Sequence, residues 1–210
     1  MPYGTLKADV ASFVQRDDVT DIIPTWIRYA TAAFSRTLRV PQMETRDVQT
    51  LTTEYVSLPT DFLEVIAVTR DDGKELRYIA RPQFEAYAAQ ELTPDPPVFT
   101  VEDYQFRFLP APSVAEPLTA TILTYERLPD FTTDESTNWL LDEHPDLYLW
   151  GVLLFGRAWL HDDDRLARIK PLYDEGMAML RKKKVHATGI ASAVGTDIPV
   201  VARPYNIRQG

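Results

Sequence analysis

The 210-residue chain holds 22 Lys and Arg against 31 Asp and Glu, a net charge of −9. That balance excludes a protein that grips DNA by neutralising its phosphates, which needs clustered positive charge, although it suits one that DNA passes without adhering. Hydrophobic residues at 45% and charged residues at 25% lie in the globular range, and the absence of cysteine excludes disulfides, thiolate metal sites and a cysteine nucleophile.

The first residues, Met1-Pro2-Tyr3-Gly4-Thr5, lack the basic-then-apolar pattern of a signal peptide. Leu147 to Leu160, the most apolar stretch, is interrupted by Gly151, Gly156 and Arg157 and is shorter than the about 20 residues that cross a bilayer. A soluble protein made in a cytoplasm is expected, with no membrane partner.

In chain order, Thr5 is placed to N-cap a short helix with Leu6, Val10, Phe13 and Val14 on one face. Asp21 is placed to cap a second, with Pro24 in its first turn and Ile22, Trp26, Ala30, Phe34 and Leu38 recurring every four residues. Ile23 and Ile27 widen that stripe, which ends by Pro41. From about residue 45 the period shortens. Thr45–Leu51, Glu54–Ser57, Phe62–Thr69 and Glu75–Ile79 read as strands, with Asp71-Asp72-Gly73-Lys74 a hairpin turn. Pro82–Gln90 reads as a short helix and Thr93–Pro97 as a break, before strands at Val98–Val101, Tyr104–Leu109 and Leu118–Tyr125.

After Asn138 the helical period returns. Pro145 suits the first turn of a helix that is apolar almost all round, so it is buried on several sides or packs on a neighbouring subunit as well. Asp162 or Asp163 then caps a last helix carrying Leu166, Ile169, Tyr173, Met177 and Leu180 on one stripe, with a kink expected at Pro171 and Arg181 to Lys184 in the final turn. The predicted class is α+β. A helical bundle is made by residues 1–44 and 138–186, a β-rich module (sandwich or open barrel) is inserted at 45–137, and an extended arm follows at 187–210.

No helical stripe fits the arm. An isolated segment of this length cannot bury its own Ile198, Val200, Val201, Tyr205 and Ile207, so it is expected to be disordered alone. Ala187–Thr196 reads as a small-residue hinge. Ile198–Ile207 is apolar enough to add to a partner's sheet edge or crevice, a frayed terminus being the alternative.

Sites for chemistry are few. His161-Asp162-Asp163-Asp164 is the one dense set of metal-ligand types, but consecutive residues fan out rather than converge, and an acidic helix start explains it without metal. Asp61 and Glu64 are paired carboxylates of the kind used in acid–base hydrolysis, although Asp61 is equally suited to bond a backbone donor of its turn. The motifs G-x-S-x-G, H-E-x-x-H, G-x-x-x-x-G-K-[ST] and G-x-G-x-x-G are all absent. No cofactor, metal or catalytic residue is expected. A hydrolase using Asp61 and Glu64 or His161–Asp164, and a scaffold protein outside any virion, remain as alternatives.

Two segments carry a family resemblance. Leu58-Pro59-Thr60-Asp61-Phe62-Leu63-Glu64-Val65 resembles the start of a strand in the head-to-tail adaptor proteins of tailed bacteriophages. The second runs through Tyr125-Glu126-Arg127-Leu128-Pro129-Asp130, Thr137-Asn138-Trp139-Leu140-Leu141, Pro145-Asp146-Leu147-Tyr148-Leu149, His161-Asp162-Asp163-Asp164-Arg165 and Tyr173. It is similar to that family's strand, Asn-Trp-Leu-Leu turn, Pro-x-Leu-Tyr helix, acidic break and final helix. The resemblance implies a structural virion protein in the neck between head and tail, assembled in the host cytoplasm. It implies a ring of other copies of the chain, usually twelve, docked under the portal protein, holding tail or head-completion proteins and forming part of the DNA conduit. On that reading the arm residues Ile198, Val200, Val201, Arg203, Pro204, Tyr205 and Ile207 contact the portal, and Trp139, Tyr148, Trp150, Phe155 and Trp159 pack subunits together.

Overall fold

The structure is a computed structural model that describes residues 1–160 and 167–181. Helix α1 spans Tyr3–Val14, buries Leu6, Val10 and Val14, and stops at Gln15 in the left-handed region. It begins two residues before the expected Thr5 cap and has no side-chain cap. The amides of Tyr3 and Gly4 instead donate to the carbonyls of Ser136 and Asp134, both at 2.9 Å. Tertiary acceptors thus satisfy donors that a capping side chain would otherwise serve.

Helix α2 spans Ile23–Thr37, with Pro24 in the first turn as expected. Asp21 does not cap it, because a 3₁₀ turn over Asp17–Ile22 absorbs that residue and delivers the chain to Ile23. Trp26, Ala30, Phe34 and Leu38 are buried, and Ile23 and Ile27 widen the stripe. A five-residue helix, α4 (Trp139–Glu143), was expected only as a turn; Asn138 caps it by accepting from the Leu141 amide at 3.0 Å. Helix α5 follows at Pro145–Leu160. A last helix, α6, covers residues 167–181, runs through Pro171 and buries Ile169, Met177 and Leu180.

Helices α1, α2, α5 and α6 share one apolar core. Helix α5 lies against α2 through glycines: a Cβ on Gly151 would come within 2.6 Å of the Phe34 ring, and one on Gly156 within 2.6 Å of the Trp26 indole. The residues that interrupt the apolar run in sequence are therefore those that let the two helices close. Tyr148 is fully buried in this core. Its hydroxyl meets the Thr31 hydroxyl and accepts from Asn138 Nδ2 at 3.4 Å. Burial raises its pKa to about 12.

The inserted module is a β-sandwich. One antiparallel sheet has the order β1–β7–β3, where β1 is Glu44–Leu51, β3 is Phe62–Arg70 and β7 is Leu118–Glu126. The other has the order β2–β6–β5–β4, from Tyr55–Ser57, Gln105–Leu109, Val98–Glu102 and Arg77–Tyr78. Leu51, Val68, Ile122, Phe99, Phe106 and Phe108 fill the space between the two sheets. The turn at 71–74 forms as predicted, with Gly73 at φ +83° and its amide on the Arg70 carbonyl. The hairpin is short, however. After a single bridge between Thr69 and Glu75 the chain crosses to the other sheet, and β4 pairs parallel with β5. Helix α3, Arg81–Ala89, packs on β5 through Phe84 and Val98.

The sandwich is tied to the bundle at one end. Tyr125, Leu128 and Met43 belong to the helical core. The Leu128 amide donates to Ser35 Oγ at 3.1 Å, and Arg39 joins the Ser35 carbonyl of α2 to Glu64 of β3 at 3.0 Å each.

Candidate docking surfaces

In an acidic chain, α2 contains two arginines and neither Asp nor Glu. Its buried stripe fixes where they point. With Trp26, Ala30 and Phe34 inward, Arg28, Ala32 and Arg36 fall on the exposed side, four residues apart, with the smallest of the three in the middle. The chain leaving β7, residues 127–131, runs alongside and closes a groove of two adjoining hollows, of about 330 Å³ and 360 Å³. Arg28, Thr31 and Asp130 line both. The second hollow also takes in Ala32, Arg36 and Arg127.

Charge in this groove is incompletely matched. Arg127 reaches Asp61 at 3.5 Å, in an exposed pair. Arg28 lies beside the Tyr29 ring at 5.9 Å. Among the described residues, neither Arg28 nor Arg36 makes an ion pair, and Asp130 lines the groove without one. The buried floor mixes apolar and hydroxyl side chains, Ile27 and Thr31 in the first hollow and Leu128, Thr31 and Ser35 in the second. The chemistry offered is two guanidinium groups that make no ion pair among the described residues, over a small-residue saddle, which suits carboxylates on a protein surface.

The expected subunit-packing residues divide. Tyr148 is enclosed by its own bundle and presents no surface to a neighbour. Trp139, Trp150 and Phe155 are half-buried against the helical core, and Trp150 meets Phe13 edge-on at 6.2 Å. The side chain of Trp159 lies outside the described residues. So do His161–Asp164, the Asp162 or Asp163 cap, Leu166 and the arm residues Ile198, Val200, Val201, Arg203, Pro204, Tyr205 and Ile207. Asp61 and Glu64 each hold an arginine: Asp61 pairs with Arg127, and Glu64 accepts from Arg39 at 3.0 Å. Glu64 thus helps tie sandwich to bundle through Arg39, while Asp61 joins the start of β3 to the chain leaving β7.

A second exposed feature is β1, the edge strand of its sheet, where Val48 is 62% exposed and only Leu51 is buried. Thr45, Asp47 and Gln49 share the inward side with Leu51 yet overhang a hollow of about 240 Å³ between the edges of the two sheets. The arginine groove was not anticipated from the sequence. A signal for it existed in the absence of any acid from α2, but the second wall comes from residues about 100 positions later.

The model of the SU10 adaptor protein family matches residues 1–195. The chain belongs to the SU10 adaptor protein family. This agrees with the resemblance to phage head-to-tail adaptors carried by the segments around Leu58 and after Tyr125. No curated protein matches the chain. The match takes in the bundle, the sandwich and most of the expected hinge, and it stops before Ile198–Ile207. No described helix is long and apolar enough to cross a membrane, and no group of three or more potential metal ligands occurs among the described residues.

Proposed function

We propose that this SU10 adaptor family member is the head-to-tail adaptor of a tailed bacteriophage, a structural virion protein rather than an enzyme. A ring of copies, twelve on the family pattern, docks beneath the portal, links it to the tail and forms part of the channel through which DNA leaves. The observation that carries this reading is the family match over residues 1–195, on a chain whose helical bundle bears a β-sandwich outgrowth. The net charge of −9 per copy supports a conduit that DNA traverses without sticking.

Two parts of the reading concern contacts. The apolar arm segment Ile198–Ile207 attaches the ring to the portal, and half-buried Trp139, Trp150 and Phe155 contribute to packing between subunits. Deleting residues 197–210 is expected to leave the folded body unchanged by circular dichroism and to abolish co-sedimentation with the portal. Normal docking by the truncated chain would overturn the arm assignment.

A further inference from the structure

We propose that, before the portal is met, residues 198–203 of the arm lie as an added strand on the free edge of β1 in the same chain, and leave it when the arm engages the portal. The inference rests on the arm's role in the proposed function and names where the arm is held beforehand. Two features that are each a liability alone answer one another: an apolar segment with no core of its own, and an open sheet edge.

Among the described residues β1 has β7 as its only neighbour, and the two pair in unbroken register from Glu44 with Tyr125 to Leu51 with Leu118. The amides and carbonyls on the outer side of β1 are therefore left without a strand. The opposite edge of the same sheet is guarded. β3 has two register shifts, Thr69 bridges to Glu75, and the Leu76 amide donates to the Val68 carbonyl at 2.7 Å. β1 has no bulge, proline, glycine or lysine, and its one inward charge, Asp47, already accepts from Gln49 Nε2. Beside it the other sheet stops short, because β2 holds only three residues. The hollow left between the two edges opens onto Phe106 and Ile122 of the sandwich core. A strand laid on β1 supplies both what the edge lacks, backbone partners, and what the hollow lacks, apolar side chains.

The arm starts near this edge. Helix α5 runs back along α2, with Gly156 at Trp26 and Gly151 at Phe34, and α6 runs back along α5, with Tyr173 at Gly151 and Gly176 at Leu147. Helix α6 therefore ends toward the last turn of α2, from which the chain enters β1. The sixteen residues 182–197 span up to about 55 Å when extended, about twice the length of β1 itself. Pro199 sets the parity of the pairing. It has no amide hydrogen, so it faces away from β1 and turns the amides of Ile198, Val200 and Ala202 toward it. Pro204 has the facing parity and ends the strand. Ile198 and Val200 share one side and cover the hollow, while Val201 on the other covers Val48. Arg203 and Arg208 outnumber Asp197 in this segment, and they meet a hollow rimmed by Asp47 and Glu126 against Arg46.

The test follows amide exchange residue by residue in the full chain, without the portal. The β1 amides that point away from β7 should exchange about tenfold or more slowly than in a chain ending at residue 196. Equal exchange in the two chains overturns the inference. Val200→Pro should expose those amides as the deletion does, whereas Val201→Pro should leave them protected, because only the first removes a donor facing β1. Equal effects of the two substitutions overturn the strand pairing. Neither touches the bundle or the sandwich, so both variants keep the folded body. Protection that falls on dilution would assign the strand to a neighbouring copy and overturn the placement within one chain. Adding the portal should release the edge and restore fast exchange; a β1 that stays protected in the portal complex overturns the release. A chain that binds no portal, yet protects β1 when alone, leaves the strand pairing supported and counts against the adaptor reading.

Discussion

The helical bundle and the β-sandwich are held together by different means. In the bundle, two glycines let α5 approach α2 until ring carbons occupy the space where a Cβ would stand, and the buried Tyr148 places its hydroxyl beside Thr31 within that contact. In the sandwich, the core is a set of tilted and edge-on phenylalanines, Phe99, Phe106 and Phe108, while its outer layer is tied by one arginine. Arg107 reaches Glu54 at 2.6 Å, Glu85 at 2.8 Å and Glu102 at 3.3 Å, with its guanidinium 4.7 Å over the Phe84 ring. Burial opposes its charge, and Glu54 and Glu85 more than offset that opposition, so its pKa is raised. Shape complementarity makes the bundle intolerant of added volume. A charge hub makes the sandwich sensitive to the loss of a single side chain.

The largest expected effect is in the bundle. Gly156→Ala puts a methyl group 2.6 Å from a rigid indole, and overpacking of this kind costs about 1–3 kcal/mol. Gly176→Ala is a weaker form of the same insult, because its nearest neighbour, at 2.9 Å, is the flexible end of Leu147. Urea melts of the two variants should rank in that order; equal costs would mean that the α2–α5 contact is not the tight one.

Next comes Arg107→Ala, which leaves Glu54, Glu85 and Glu102 without their shared cation and α3 without its cover over Phe84. A loss of about 1–3 kcal/mol is expected, because the arginine is only partly buried. Amide exchange should accelerate over residues 81–89 while protection of α2 and α5 holds. Uniform loss of protection would show that the two regions do not respond separately.

Tyr148→Phe should cost about 1 kcal/mol at neutral pH through the lost hydroxyl bonds. It should also alter the alkaline limb of stability. With Tyr148 at about 12 when folded against an ordinary tyrosine value of 10.0, the unfolded chain loses its proton first. Between pH 10 and 12 it binds fewer protons than the native state, so stability falls as pH rises through that window. The variant should show a shallower fall, the remainder coming from other tyrosines raised by burial: Tyr125, to about 12, together with Tyr3 and Tyr173. The smallest effect is expected at the sandwich edge. Val48→Lys, on exposed β1, should change stability by less than about 0.5 kcal/mol.

Much of the fold was legible because periodicity carried it. The four-residue stripe from Trp26 to Leu38 and the alternation along Leu118–Tyr125 each placed their elements to within about two residues. The misses came where tertiary contacts replaced local signals. Thr5 and Asp21 look like caps, yet α1 borrows carbonyls from residues 134 and 136, and a 3₁₀ turn carries the chain past Asp21. The strand expected at Glu75–Ile79 divides between two sheets because Leu76 is drawn into the sandwich core. Tyr148 was expected at a subunit surface, but an apolar helix does not reveal which of its sides its own chain will cover. The arginine groove was hidden for a related reason: its two walls are far apart in sequence, and only folding sets Arg28 and Arg36 beside Arg127.

The proposed function requires this chain to assemble into a ring on a portal. Electron cryomicroscopy of the full-length protein mixed with the portal tests it most directly. The expected result is a closed ring of copies beneath the portal, with the sandwiches projecting from a helical collar. A chain that stays monomeric and unattached in the presence of the portal would contradict it.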